Sequence, residues 1–504
     1  MSGIDIVLHQ VMPGFADYGV SASISGGKAG NAFFHYVLPK LGSSLARVEP
    51  RMKGAAMCEV FGAYGWAEDT ACMKWLMDFL LVRGSNRFVP HAFTDLYPDP
   101  DCPPHFYGKG NNPQFEGFSK LMRYVNQMSH LLEGAELQTD GSIFYMAEAE
   151  WMSTPGFRDM DGAAKALYDA HIDFDILPLD ALEKAKVENR KLMVNGHAHR
   201  FLVIPYAERY PQKLHRLVQA FTGKGLPVFW LTEGGTIRPM GGEALDLGCL
   251  AAVVRERGLA HLYTTEAPYL RIGHFVRGET SWFMLFWEGV QGEVDEVIEL
   301  PCKGDFLRLD LLHGKISRGF TVDGRVQVRL VPYQSELLLF DAFPETVLEG
   351  FSPRTEWKEL DAPALVWDIE LLEQGKEELF RKVKEQSELF SITGKEGWPR
   401  FSGRMRYRTQ LRLGNDANVA LDLGRVGVTA KLTVNGRDLG MRICPPYRWD
   451  ISEAARAGSN LIEVEVCNTL VHRIQDGLSS YMQIPPSGLL GPVRLYGKES
   501  MEGR

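Results

Sequence analysis

The sequence predicts a multidomain protein in which α/β units come first and all-β units follow. The chain has 504 residues, which is too long for one ordinary domain. Apolar strands alternate with amphipathic helices up to about residue 267, and from about Tyr269 the hydrophobic period changes to two. A content of 45% hydrophobic and 24% charged residues is ordinary for a globular protein and excludes disordered and fibrous classes.

The first third alternates strands with long helical connections. Apolar runs predict three strands, at residues 4–11, 55–61 and 86–93. The helix between the last two has one apolar stripe from Cys72 to Leu80, and Glu68 and Asp69 are expected in its first turn. A second helix is predicted at 115–128. Strands separated by helices at this spacing pair in parallel.

A second α/β unit begins near Gly141. It alternates strands, at 143–147, 173–177, 201–205, 227–231 and 261–264, with helices, at 162–171, 214–222 and 247–257. This is the size of a flavodoxin-like open parallel sheet. The acidic run at 147–151 follows the first strand where a phosphate loop would lie, so neither a nucleotide site nor a small-molecule sensor is indicated.

The second half predicts β domains. Short strands at 281–287, 295–300, 306–312 and 327–331 indicate a small antiparallel sheet. The charged stretch 371–386 predicts a helix. Beyond Met405 the alternation returns, and Asn435-Gly436 predicts a tight hairpin turn in a β-sandwich. The predicted domains are 1–140, 141–267, 268–352 and 353–504.

Charge and cysteine content narrow the partners and the compartment. The formal net charge is −9, so no basic face is indicated and nucleic acid is not an expected partner. No apolar stretch approaches the roughly 18 residues that cross a bilayer, and the amino terminus does not have the pattern of a secretory signal. The seven scattered cysteines, without a C-x-x-C pair, predict reduced thiols and a cytoplasmic protein.

The most informative stretch is Met57-Cys58-Glu59-Val60-Phe61-Gly62-Ala63-Tyr64-Gly65-Trp66. It places a carboxylate at the carboxyl end of a parallel strand, followed by glycines and aromatic rings. A sugar site needs this combination, because a carboxylate serves as acid, base or nucleophile and flat rings stack on C–H surfaces. The alternative interpretation is that Glu59 caps the next helix and that Tyr64 and Trp66 belong to the core.

Two other strand ends carry histidines. His91 ends the strand at 86–93, and His9 ends the first strand. The loop after His91 contains Asp95 and His105 among many donors, acceptors and aromatic rings, which suits a polyhydroxyl ligand. His9 alone would more often be structural. Together with Glu59, the two histidines indicate a polar rim at the strand ends.

No metal ion and no cofactor are predicted. Asp95, Asp99 and Asp101 offer hard oxygen ligands, but their spacing is not that of an EF-hand loop and favours a solvated acidic turn. Two pairs of residues could be zinc ligands, Cys102 with His105 and His197 with His199. Each pair would need further ligands, which the sequence does not identify.

Several runs of the first third share a pattern with known enzymes: Phe33-Phe34-His35-Tyr36, Lys40-Leu41-Gly42-Ser43-Ser44, Met57 to Trp66, Met73-Lys74-Trp75, Leu81-Val82-Arg83-Gly84, Phe88 to Phe93 and Ala147 to Trp151. These runs resemble large bacterial glycoside hydrolases related to the α-L-rhamnosidases of glycoside hydrolase family 106. The tail runs at 432–436, 445–450 and 486–492 resemble the galactose-binding-type jelly roll called the family 2 sugar-binding domain.

The resemblance implies a fold and an activity. The expected domains are the carboxyl-terminal part of a (β/α) barrel, a flavodoxin-like domain, a small antiparallel β domain and a jelly-roll β-sandwich. The expected activity is hydrolysis of a carbohydrate substrate. Glu59 would be a catalytic carboxylate, acting as base in an inverting mechanism or nucleophile in a retaining one. His9 and His91 would touch the sugar, with Tyr64 and Trp66 as walls, and an aspartate of the loop 95–101 could reach the same rim.

The barrel-like part is shorter than a barrel. A complete barrel takes about 250 residues, whereas the sequence predicts about three strands before residue 140. An open barrel exposes a strand edge and an apolar face. Three explanations are open: a truncated product, completion by another protomer of a homo-oligomer, or an open platform without activity. The competing hypothesis is therefore a non-catalytic carbohydrate-binding or scaffold protein.

Overall fold

The computed structural model describes residues 37–498 except 153–155, 233, 235–238, 265–266, 342, 344–347, 349–354, 356, 362–363, 377 and 415–417. The α-helices of this part are α1 (Leu38–Val48), α2 (Thr70–Val82), α3 (Phe115–Leu132), α4 (Ala147–Trp151), α5 (Asp161–Asp169), α6 (Leu179–Lys184), α7 (Gln212–Gly223) and α8 (Leu250–Glu256). The predicted strand at 4–11, and His9 with it, lies outside the described residues.

The first unit contains a pair of parallel strands joined by a helix. The strands β1 (Met57–Val60) and β2 (Arg87–Pro90) pair with Glu59 opposite Val89. The crossover helix α2 packs against α3 and against later β-strands, and all its residues are buried, as its apolar composition requires. A short strand, β3 (Glu136–Leu137), ends the unit. Because the described residues provide two parallel strands, the partial barrel stays a prediction.

The start of α2 differs from the expectation. Asp69 is the N-cap, since its carboxylate accepts a hydrogen bond from the Cys72 backbone N–H at 2.8 Å. The helix therefore begins at Thr70, and both Glu68 and Asp69 precede it instead of occupying its first turn.

The second unit is a parallel sheet with a small antiparallel addition. Its strands are β4 (Gly141–Tyr145), β5 (Phe174–Pro178), β6 (Lys186–Glu188), β7 (Lys191–Val194), β8 (His197–His199), β9 (Leu202–Ile204), β10 (Val228–Leu231) and β11 (Glu243–Leu245). The parallel sheet has the order β5-β4-β9-β10-β11, and β6-β7-β8 form a separate antiparallel sheet. Numbered along the chain, the parallel order is 2-1-3-4-5, which is the flavodoxin-like order. Helix α1 packs on β5.

Two segments of this unit differ from the sequence prediction. Strand β11 is not predicted from the sequence, because three residues are too few to show a period. Residues 261–264 are predicted to join the parallel sheet, whereas the strand there belongs to the next unit and is antiparallel. An apolar run identifies a strand but not the sheet that the strand joins.

The third unit has two antiparallel sheets over one apolar core. Its strands are β12 (Tyr263–Thr264), β13 (Leu270–Arg277), β14 (Thr280–Trp287), β15 (Val294–Glu299), β16 (Gly304–Asp310), β17 (Lys315–Thr321), β18 (Arg325–Leu330) and β19 (Ser335–Phe340). One sheet has the order β12-β15-β18 and the other β17-β16-β19-β14-β13-β3. Strand β3 of the first unit thus extends the second sheet.

The last unit also has two main antiparallel sheets. Its strands are β20 (Trp357–Leu360), β21 (Trp367–Glu373), β22 (Arg381–Ser387), β23 (Gly403–Leu413), β24 (Val419–Asp422), β25 (Arg425–Val426), β26 (Thr429–Val434), β27 (Arg437–Arg442), β28 (Arg448–Asp450), β29 (Gly458–Cys467), β30 (Leu489–Gly491) and β31 (Arg494–Lys498). The sheet orders are β20-β31-β24-β28 and β22-β21-β23-β29-β26-β27, with β25-β30 as a small addition. The predicted turn at Asn435-Gly436 joins β26 to β27, with φ of +50° and +82°.

The helix predicted at 371–386 is wrong. The segment contains the end of β21 and most of β22, which pair antiparallel. Strand β21 buries alternate residues, whereas β22 is a charged strand at the sheet edge. A charged edge strand discourages pairing with other chains. Closely spaced Lys and Glu residues are also typical of a solvent-exposed helix, which is why the sequence of β22 predicts one.

The cysteines are free thiols, and four of them (Cys58, Cys72, Cys444 and Cys467) are buried. Among the described residues, no helix combines the length and the apolar character that crossing a membrane requires.

Candidate active site at the ends of the parallel strands

Glu59 lies on the open face of the β1–β2 pair. Its neighbours Cys58 and Val60 point to the opposite face and are buried. Met57 and Val89, which share the face of Glu59, are 57% and 49% exposed. Glu59 itself is partly exposed, and its carboxylate makes no hydrogen bond or ion pair with any described residue. The carboxylate is therefore available to a ligand.

The backbone turns sharply after Glu59. Phe61 and Ala63 have φ of +73° and +68°, a region that costs a non-glycine residue about 1–3 kcal/mol. The Phe61 ring is buried against Phe106 and Phe118, with ring centroids 5.8 Å and 6.5 Å away. This packing holds the strained turn in place, and strain of this kind concentrates at functional sites.

The loops that follow β1 and β2 hold each other. The Ala63 backbone N–H donates to the Cys102 carbonyl at 3.3 Å, and the Gly65 N–H donates to the Pro103 carbonyl at 2.8 Å. These bonds fix the two loops as one rim above the strand ends.

The last unit of the chain supports this rim. The Trp66 backbone N–H donates to Asp476 Oδ2 at 3.1 Å, and the Ala67 N–H donates to Ser479 Oγ at 2.9 Å. The Asp476 carboxylate also accepts from the Ser479 N–H at 2.8 Å. The carboxyl-terminal unit is thus part of the framework of the candidate site.

His91 and His105 lie next to each other on the rim. The His91 backbone N–H donates to the Val60 carbonyl at 2.8 Å, and a Cβ on Gly62 would be 3.0 Å from the His91 ring. The centroids of the two imidazole rings are 6.1 Å apart. Nδ1 of His91 is buried and lacks a hydrogen-bond partner among the described residues, and both ring nitrogens of His105 are buried. His105 as a whole is 2% exposed, so the partly exposed His91 is the histidine of this pair that a ligand can reach.

His105 lies close to an acidic side chain. Its Nε2 is 4.0 Å from Asp99 Oδ2. Burial lowers the pKa of His105, which favours a neutral ring at pH 7. Hydrogen bonds from the Asp101 backbone N–H and from Thr94 hold the pKa of Asp99 below its ordinary value. Asp95, on the same loop, is exposed.

Tyr64 and Trp66 do not form the walls of an open pocket. Each is 2% exposed. Tyr64 belongs to the main apolar core, and Trp66 packs on Leu470 and Val471 of the last unit. For these two rings the structure supports the alternative interpretation, that they belong to the core. The partners of Trp66 are about 400 positions further along the chain, so no local pattern reveals them.

Gly65 lies directly against the last unit. It has φ of +79°, and an added Cβ would be 2.4 Å from the Ser479 backbone nitrogen. Gly54 has a similar φ of +73° with nothing within 4 Å. We expect Gly65→Ala to lower the free energy of unfolding by about 1–3 kcal/mol more than Gly54→Ala in chemical denaturation. Equal losses in the two variants would show that the contact with Ser479 is unimportant.

Glu68 is a carboxyl group whose burial is not predicted from the sequence. Both of its oxygens are buried without a hydrogen-bond partner among the described residues. Burial, followed by the neighbouring Asp69, raises the pKa of Glu68 well above its ordinary value. Burial also raises the pKa of Asp69, to about 6. From the sequence, Glu68 and Asp69 are expected only as acidic residues in the first turn of the helix.

Replacing Glu68 by glutamine is expected to stabilise the protein at neutral pH. In the folded protein the raised pKa favours the protonated acid, whereas the unfolded chain ionises above about pH 4.5. Wild-type stability therefore falls as the pH rises above 4.5, and glutamine does not ionise. Melting temperatures should be similar at pH 4 and should diverge in favour of Glu68→Gln towards pH 8. A constant difference across this range would argue against a buried acid.

No metal site is evident in the part of the chain that the structure describes. It contains no group of three or more His, Cys, Asp or Glu side chains suited to hold an ion. His197 and His199, considered above as zinc ligands, instead contact carboxylates: Glu136 at 2.6 Å and Asp175 at 2.9 Å.

Over most of the chain the fold is shared with a larger protein of known structure. The structure is similar to that of a rhamnosidase from Novosphingobium sp. PP1Y, with a TM-score of 0.67, 18% sequence identity and 92% of this chain covered. Among curated proteins, the chain is similar to a protein named "Putative beta-glucuronidase" from Formosa agariphila, with 27% identity over 186 residues. That match covers 31% of this chain. No family model matches the sequence.

The chain is shorter than both relatives. It spans 50% of the length of the rhamnosidase chain and 16% of the length of the curated protein. At 18% identity the rhamnosidase shows the fold alone.

Proposed function

We propose that this chain is a glycoside hydrolase, or the corresponding part of one, that acts on α-L-rhamnosides, with Glu59 as one of two catalytic carboxylates. The observation that carries the proposal is the position of Glu59. A carboxylate without a partner among the described residues lies near the carboxyl end of a parallel strand, before a strained turn. The rhamnosidase-like fold supports this activity.

The remaining rim residues are assigned to substrate binding. The partly exposed His91 offers its ring to sugar hydroxyls, with the buried His105 packed next to it, and the exposed Asp95 reaches the ligand from its loop. His9, outside the described residues, is assigned to the same subsite from the resemblance alone.

Hydrolysis needs a second carboxyl group that holds a proton at the working pH. Asp99 does not suit this role, because its pKa is lowered and the group is ionised at pH 7. We therefore assign Asp99 to the orientation of His105, and the general acid to another residue. Asp95 and Asp101 are the other carboxyl groups on the same loop.

The rival function is carbohydrate binding without catalysis. It is favoured because the lowered pKa of Asp99 removes that group as a general acid, and the other carboxyl groups of the loop, Asp95 and Asp101, are exposed. The two functions are distinguished by offering 4-nitrophenyl α-L-rhamnoside, β-D-galactoside and β-D-glucuronide, and by titrating L-rhamnose calorimetrically. Preferred release of nitrophenol from the rhamnoside supports the proposal. Binding of L-rhamnose without turnover supports the rival, and preferred cleavage of another glycoside contradicts the assigned specificity.

A further inference from the structure

A cavity lies away from the strand ends. It is formed where α3, the turn after β16 and the hairpin β26–β27 meet, and its volume is about 350 Å³. Ligand pockets commonly have volumes of about 300–1,000 Å³. One face of α3 lines it with Glu116, Lys120, Arg123 and Gln127, which are spaced at about one helical turn.

A second cavity of about 260 Å³ continues the first along the outer face of the last unit. The two cavities share Glu116, Lys431 and Asp438, so they form one groove, which we call the junction groove. Its far end is lined by Glu463 and Glu465 of β29 and by Arg404 of β23.

One end of the junction groove is cationic. Arg123 is exposed and makes no ion pair with a described residue. The Lys120 ammonium donates to the Met441 carbonyl and makes no ion pair with a described carboxylate. Burial and the nearby Arg442 lower the pKa of Lys120 to about 8, so it still carries a charge at pH 7. Two cations without carboxylate partners thus lie one helical turn apart.

From its middle to its other end, the junction groove is rich in carboxylates. Glu116 makes no ion pair with a described residue. Asp438 Oδ2 forms an ion pair with Lys431 Nζ at 3.0 Å. Glu463 and Glu465 are bonded to arginines of β23. Carboxylates accept hydrogen bonds from hydroxyl groups, so this end suits the hydroxyl-bearing part of a ligand.

We propose that the junction groove binds an anionic saccharide, with its acidic group on Arg123 and Lys120 and its hydroxyl groups directed towards Glu116 and Asp438. The arginine can hold a carboxylate or a sulfate through two parallel hydrogen bonds, with the lysine as a second positive charge. This site is separate from the one that contains Glu59 and does not depend on the proposed hydrolysis.

Calorimetric titration of the whole chain with D-glucuronate, glucose 6-sulfate and glucose tests the proposal at pH 7. The acidic sugars should bind at least ten times more tightly than glucose, and the tighter of the two identifies carboxylate or sulfate as the preferred group. Arg123→Gln should weaken acidic-sugar binding at least tenfold. Arg216→Gln, at an exposed arginine of α7, and Glu59→Gln should leave the binding unchanged.

The proposal would be overturned by the absence of measurable heat with both acidic sugars, by equal affinity for glucose, or by full binding in the Arg123→Gln variant. Loss of binding in Glu59→Gln would instead assign the ligand to the strand-end site and would likewise overturn the junction groove as its location.

Discussion

Glu59→Gln is expected to lower kcat on an α-L-rhamnoside by about 10²–10⁴-fold if Glu59 is the general base, with a larger loss if it is the nucleophile. The substitution keeps the shape of the side chain but removes its negative charge. Stability should not change, because Glu59 makes no hydrogen bond or ion pair with a described residue. Initial rates at saturating substrate, combined with thermal denaturation, measure both effects.

The control for this variant is Glu299→Gln, which removes an exposed carboxylate at the end of β15 in the third unit. Its kcat should equal that of the wild type. If Glu59→Gln also retains full kcat, Glu59 is not a catalytic residue and the mechanism proposed here fails.

Glu288→Gln is expected to cause the largest loss of stability. The Glu288 carboxylate is buried and binds two guanidinium groups, Arg83 and Arg271, at 2.6 Å each. Arg83 follows α2 and Arg271 belongs to β13, so this cluster joins the first unit to the third. Removing one partner of a buried ion pair costs about 3–5 kcal/mol, because the remaining charges stay buried. Urea denaturation at pH 7 measures this loss.

The stability difference between the wild type and Glu288→Gln is also expected to depend on pH. Burial acts to raise the pKa of Glu288, but the charges of Arg271 and Arg83 outweigh it and hold the pKa below 4.5. The carboxylate therefore stabilises the fold above pH 4.5, and this stabilisation is lost as the pH falls through the folded-state pKa. The gap between wild type and variant should narrow on acidification.

The matched control is Glu453→Gln, which breaks the exposed ion pair with Arg437 and should cost less than about 1 kcal/mol. A loss in Glu288→Gln no larger than in this control would mean that the cluster does not hold the two units together.

Much of the fold was predictable because local patterns determine it. The buried strands β4 and β5 and the amphipathic helix α3 are close to the predicted segments, since burial on one or both faces leaves a period in the sequence. The failures have a different origin. Strand β12 joins a sheet that its own residues cannot specify, and the charged edge strand β22 has the composition of a solvated helix.

The candidate site was predictable only in part. Glu59 and His91 lie at the ends of paired strands, which the strand assignment itself implies. The burial of Trp66 depends on Leu470 and Val471 in the last unit, and the burial of Glu68 depends on the packing around the start of α2. Long-range packing of this kind leaves no periodic signal near the residue that it affects.

The central claim is that the Glu59 carboxylate contacts a sugar. A crystal of the chain soaked with L-rhamnose tests this claim most directly. A sugar ring is expected at the β1–β2 strand ends, with a hydroxyl or the anomeric carbon next to Glu59 and further hydroxyls on His91. A sugar bound only elsewhere, with Glu59 covered by another part of the protein, would contradict it.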